Sequence, residues 1–129
     1  MNHLFVPLWE SLDLKELGFD EECLGHYKTI KGGNMTSFFI EQPPIDESGG
    51  VFITKAPTYD QAFKWFRDKK ILGEVKPIDN WDMWGFSITM EDSMSPFFIA
   101  HSSIYTEYTT YEEAQLECLK MMIKISKTK

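Results

Sequence analysis

This 129-residue chain offers little to chemistry: two cysteines, three histidines and no glycine-rich phosphate cradle. Each shortage excludes a class of function. Cys23 and Cys118 lie far apart, so no disulfide framework is expected, and two reduced thiols packed as small hydrophobes is the favoured reading. A structural zinc site wants four Cys/His ligands, commonly in two close pairs. Here Cys23 and His26 form one such pair, and His3, His101 and Cys118 are scattered. No metal is therefore expected. Neither G-x-x-x-x-G-K-[ST] nor G-x-G-x-x-G occurs, and Gly32-Gly33 and Gly49-Gly50 read as turn glycines, so no cofactor is expected either.

Basic residues are also short, with 13 Lys+Arg against 20 Asp+Glu and a net charge of −7. That balance discourages binding to phosphate backbones or anionic membranes, both of which reward positive surfaces. Apolar runs long enough to cross a bilayer are missing, and the opening "MNHLFVPLWESLDLKEL" lacks the basic n-region of a secretion signal. A cytoplasmic location is the expectation.

What the chain does have is core material. The hydrophobic share is 43% and the aromatic share 15%, which argues for a globular chain, and residues 1–129 fit one domain. Acidity is concentrated early: residues 1–50 hold nine acids against three bases, 51–90 five against six, and 91–129 six against four.

In "SLDLKELGF", Ser11 as N-cap, apolar Leu12, Leu14 and Leu17, and Gly18 past the end predict a helix of about two turns. "GHYKTIKGGNMTSFFIE" sets a Gly-Gly-Asn turn between two β-type segments, a hairpin signature. "QPPIDESGG" reads as an irregular loop, and "VFIT" as a short strand closed by Pro57. Thr58 and Gln61 then form a capping box, after which Tyr59, Ala62, Phe63 and Phe66 share one face of a helix ending near Lys70. "MWGFSITM" alternates, with Trp84, Phe86, Ile88 and Met90 on one side, which marks a half-buried strand. "EDSMSP" reads as a turn and "FFIAHSSIYTEY" as one long or bent strand. The last helix starts with Thr110 as N-cap and Glu113 as its box partner. Tyr111, Ala114, Cys118, Met122 and Ile125 line its face, Leu116, Leu119 and Ile123 widen it, and residues 124–129 are expected to fray.

These elements predict an α+β fold: an antiparallel sheet of about five strands, two longer helices packed on one face, and a short N-terminal helix at an edge. "TYDQA" at 58–62 and "TYEEA" at 110–114 echo one another. A true duplication and two uses of one capping device fit the echo equally. In either case the alanine lets the helix come close to the sheet, and the tyrosine is expected to fill the space beside it.

Candidate chemistry is thin. His101 beside Ser102 and Ser103 suggests a nucleophile and base, but neighbouring strand residues point to opposite faces, and no orienting acid or nucleophile elbow accompanies His101 and Ser103. The runs Asp20 to Glu22, Asp46-Glu47 and Glu91-Asp92 fall in predicted turns, where such charges are solvated. The most suggestive patch is "DNWDMW", which puts Asp79, Trp81 and Asp82 in a loop before a strand, the kind of place where interaction hot spots sit. For Trp81, as for Trp9, covering apolar surface is the favoured structural alternative.

Three stretches, "LKELGFDEECLGHY", "APTYDQAFKWFRDK" and "TYEEAQLECLKMMIKI", together resemble in this order a family of small uncharacterised proteins encoded by bacterial phages and prophages. The match covers about half the chain. In that family the first stretch often reads closer to "GFDEPCFGYY", so Glu22, Leu24 and His26 depart from it. The resemblance brings no catalytic residues; it implies a phage-borne origin. The functional expectation is a non-enzymatic accessory module that binds a host or viral protein. Two rivals from other classes stand beside it. One is an acidic inhibitor that mimics nucleic acid, which needs Glu10, Asp13, Asp20, Glu21, Glu22, Asp46 and Glu47 on one face. The other is a small hydrolase or transferase using His101 or His26.

Overall fold

A computed structural model describes residues 4–29, 36–40, 51–78, 82–91, 96–101 and 108–127. The fold is α+β with antiparallel strands, as the sequence pattern predicts. The single sheet of about five strands becomes two three-stranded sheets, one in each of two compact units, Met1–Gln61 and Ala62–Lys129.

In the first unit, α1 spans Leu8–Glu16, β1 Gly25–Thr29, β2 Thr36–Ile40 and β3 Val51–Ala56, with strand order β2-β1-β3. The predicted hairpin is present as the β1/β2 pair, in the register Gly25↔Ile40 to Thr29↔Thr36. Its Gly-Gly-Asn turn and the 42–50 loop lie outside the described residues. The helix starts earlier than the predicted Ser11 cap. Pro7, at φ −61°, is the N-cap and accepts the first helical bond from the Ser11 amide at 2.8 Å. Its ring fixes φ at a value compatible with helix entry but offers no side-chain oxygen to the first amides. Ser11 is instead buried inside the helix, donating its hydroxyl to the Val6 carbonyl at 3.1 Å.

The far end of α1 follows its sequence signal. Gly18 takes φ +103°, which suits a residue without a Cβ. Its amide donates to Lys15 and that of Phe19 donates to Leu14, the Schellman closure, with Leu14 and Phe19 both buried. α1 packs on β3, an edge strand of this sheet.

The helix α2, Tyr59–Asp68, begins in the first unit and continues in the second. Its capping box is formed both ways: the Gln61 amide donates to Thr58 Oγ1 at 3.2 Å, and the Thr58 amide to Gln61 Oε1 at 3.0 Å. Tyr59, Ala62, Trp65 and Phe66 are buried. Trp65 thus takes the place predicted for Phe63, which is only half-buried. Lys69 Nζ sits over the Trp65 ring at 4.6 Å, and Lys70, in the turn after the helix, takes φ +69°.

The second sheet has the order β4-β5-β6, with β4 Ile71–Ile78, β5 Met83–Glu91 and β6 Pro96–His101. β4 is not among the predicted strands, and its sequence "ILGEVKPI" contains a glycine and a proline. Both have a structural reason. Pro77 is tolerated because β4 is an edge strand. Gly73 lies close under α3: a Cβ there would stand 2.7 Å from Met122 Sδ and 2.9 Å from Cys118 Sγ. β5 is central, so "half-buried" understates it; Gly85, Phe86, Ser87 and Ile88 are all buried, on both faces. The long strand predicted after it is described only as β6, since residues 102–107 lie outside the described residues. Tyr108 returns to β5 by a two-bond bridge to Trp84, at 2.8 and 2.9 Å.

α3, Tyr111–Lys127, lies over β4 and β5. Ala114, Cys118, Leu119, Met122 and Ile123 are buried, and each large one contributes about 1.5–3 kcal/mol by leaving water. Two expectations change here. Residues 124–127 remain helical rather than frayed, and Tyr111 is 41% exposed rather than docked inward.

Candidate functional site

Of the predicted binding patch, Asp79 and Trp81 lie outside the described residues, while Asp82 is exposed in the turn that leads into β5. His26 is buried on β1, its ring 6.0 Å from Phe39. His101 closes β6, and Ser102 and Ser103 lie outside the described residues. Cys23 is half-buried and its thiol donates to the Glu21 carbonyl at 3.4 Å. Burial pushes that thiol up to about 11, against the pull of Lys55, and burial pushes Cys118 up to about 12. Both are therefore thiols rather than thiolates at neutral pH, and poor nucleophiles. Among the described residues no group of three or more His, Cys, Asp or Glu is placed to hold a metal ion.

The seven acids named for the nucleic-acid mimic are not interchangeable. Asp46 and Glu47 lie outside the described residues. Asp20 pairs with Lys55 at 3.4 Å, and Glu10 faces Tyr27 and Tyr59, helping burial to raise both phenols, Tyr59 to about 12.

The feature that sequence reasoning discounts is Trp9. Its side chain is 72% exposed, the most of any large hydrophobic among the described residues, and Leu4, Leu24 and Ile40 of the same unit are exposed too. The cause is rotational. Ser11 and Leu14 are the buried residues of α1, and at 100° per residue Trp9 falls on the opposite side of the helix. A core-facing serine hides this arrangement, because α1 shows almost no apolar contrast around its circumference.

The helix that displays Trp9 is firmly held. Val6 donates to the Pro57 carbonyl at 2.8 Å, Phe5 bridges to Thr58, and the Val6 carbonyl accepts from both Ser11 and the Tyr27 hydroxyl, the latter at 2.9 Å. The result is a large amphipathic ring presented to water on an ordered support, which is how interface anchors are built. A smaller aromatic group sits in the second unit, where Tyr111 meets Trp84 edge-on at 5.3 Å and Tyr108 stacks on Phe86 at 6.2 Å. No family model, no curated protein and no solved structure matches this chain.

Proposed function

We propose that the chain is a non-enzymatic protein-binding module, a phage-type accessory protein that engages a host or viral protein through Trp9. The observation that carries this reading is the 72% exposure of Trp9 on a helix tied at both ends. Tryptophan is the residue most enriched where binding energy concentrates, and an ordered anchor loses little entropy when it docks. The neutral thiols of Cys23 and Cys118 agree with a role that needs no nucleophile. The phage attribution rests on the three resembling stretches quoted above. We further infer that the buried face of α2, at Ala62, Trp65 and Phe66, packs on the same side of a sheet as α3, as the sequence pattern of two longer helices suggests.

Affinity capture of the tagged protein from infected host cells tests this, with Trp9→Ala run beside it. Loss of a captured protein at unchanged melting temperature supports Trp9 as the anchor. Full retention of every captured protein ends that assignment. Trp81→Ala in the same experiment asks the same of the Asp79, Trp81 and Asp82 patch, for which the exposure of Asp82 speaks.

A further inference from the structure

Between the last turn of α1 and β3 lies a cavity of about 90 Å³, lined by Ser11, Lys15, Phe19, Asp20, Thr54 and Lys55. At roughly 30 Å³ per water, it has room for about three waters or for one compact group of four or five heavy atoms. Two of its walls are cationic. Lys15 Nζ donates to the Ile53 carbonyl at 3.1 Å, and Lys55 Nζ to the Asp20 carbonyl at 3.3 Å and to Asp20 Oδ1 at 3.4 Å. An ammonium carries three donors, so these bonds do not use up the capacity of either lysine.

Lys15 and Lys55 bring positive charge to a lining that is otherwise mostly apolar. The carbonyls of Leu14 and Lys15 accept from the Phe19 and Gly18 amides, which blunts but does not remove the negative potential at the C-terminal end of α1, so the two ammonium groups must outweigh it. The Ser11 hydroxyl gives its proton to Val6, and Thr54, only 2% exposed, is the other hydroxyl-bearing residue of the lining. Phe19, also buried, screens one side from water. Among the six lining residues the opposing charge is Asp20, whose side chain is 95% exposed. A pair that wet is held weakly and yields to a better-placed anion.

We propose that this cavity binds a compact oxyanion of phosphate type, held by Lys15 and Lys55, with Asp20 as the internal anion that the ligand displaces. Two ammonium groups match the charge of a phosphate better than that of a single carboxylate. The site is independent of the Trp9 surface, and either reading can fail alone.

Titration of the full chain with inorganic phosphate at constant ionic strength, followed by amide NMR, tests the proposal. Saturable shifts centred on Lys15, Thr54 and Lys55 are expected, with acetate weaker and chloride without a saturable effect. Lys15→Met and Lys55→Met should each weaken phosphate by roughly tenfold to a hundredfold, the size of one charge-assisted hydrogen bond. Asp20→Asn should tighten it severalfold, and at 95% exposure this change spares the fold. That increase is the result a merely structural role for the cavity would not give. Shifts that never saturate, or that chloride reproduces, overturn the proposal, and so does an Asp20→Asn protein that binds phosphate no better than the parent.

Discussion

The helices α2 and α3 begin with nearly the same five residues, Thr58 to Ala62 and Thr110 to Ala114, and put their tyrosines in opposite surroundings. Tyr59 is 7% exposed and Tyr111 41%, while Ala62 and Ala114 are both fully buried. The two caps differ as well. Gln61 serves the Thr58 amide with its oxygen and the Glu22 carbonyl with its nitrogen, at 3.0 and 2.9 Å. The Glu113 side chain has only acceptors; the Glu113 amide donates to Thr110 Oγ1 at 3.1 Å, and its carboxylate accepts from the Thr109 hydroxyl at 3.5 Å. The lesson is that the threonine and the alanine carry the local part of the motif. The tyrosine goes where neighbours distant in sequence allow.

The sharpest way to break this comparison is truncation of the two tyrosines. Tyr59→Ala should cost about 3–5 kcal/mol, the range for emptying a large aromatic site in a core. Tyr111→Ala should cost about 1 kcal/mol, the worth of one edge-on ring pair. Denaturant unfolding measures both, and equal losses would mean that Tyr111 is as structural as Tyr59.

Alkaline titration probes the thiols of the two units. Folded Cys118 keeps its proton until about pH 12, whereas the unfolded chain releases it from the ordinary value of 9.0. Above pH 9 the unfolded state therefore holds fewer protons, so stability is complete below that pH and falls as pH rises. Between pH 9 and about 10.5 the loss through Cys118 should be about 2 kcal/mol. Cys118→Ala and Cys23→Ala should each flatten that slope by a similar amount, because both folded thiols keep their protons through this range, and the two separate only above about pH 11. Urea midpoints across this range give the slopes, and a slope unchanged in Cys118→Ala would refute the assignment.

The smallest effects belong to the caps. Thr58→Ala and Thr110→Ala should each cost about 1 kcal/mol. Gln61→Ala should cost about 1 kcal/mol for its two backbone partners, and Glu113→Ala only a few tenths for an exposed carboxylate near a helix start. Thermal melts of the four single variants rank them.

Much of the architecture was readable residue by residue. The α2 capping box, the Gly18 stop and the β1/β2 pairing each depend on a handful of adjacent side chains and backbone angles, so local chemistry suffices. β4 was not readable, because its Gly73 and Pro77 make sense only beside α3 and at a sheet edge. The Trp9 surface was half readable. The residue stood out, but its direction depended on where α1 begins and on Ser11 filling a core position.

The chain itself therefore determined the caps that start α2 and α3, the glycine that stops α1 and the pairing of β1 with β2, since these follow from propensity, capping and turn chemistry. Tertiary structure alone decided that the strands divide into two sheets, that one tyrosine is sealed and its counterpart exposed, and that two lysines meet around a cavity. Those outcomes depend on which surfaces meet across long stretches of chain, and sequence spacing carries no record of that.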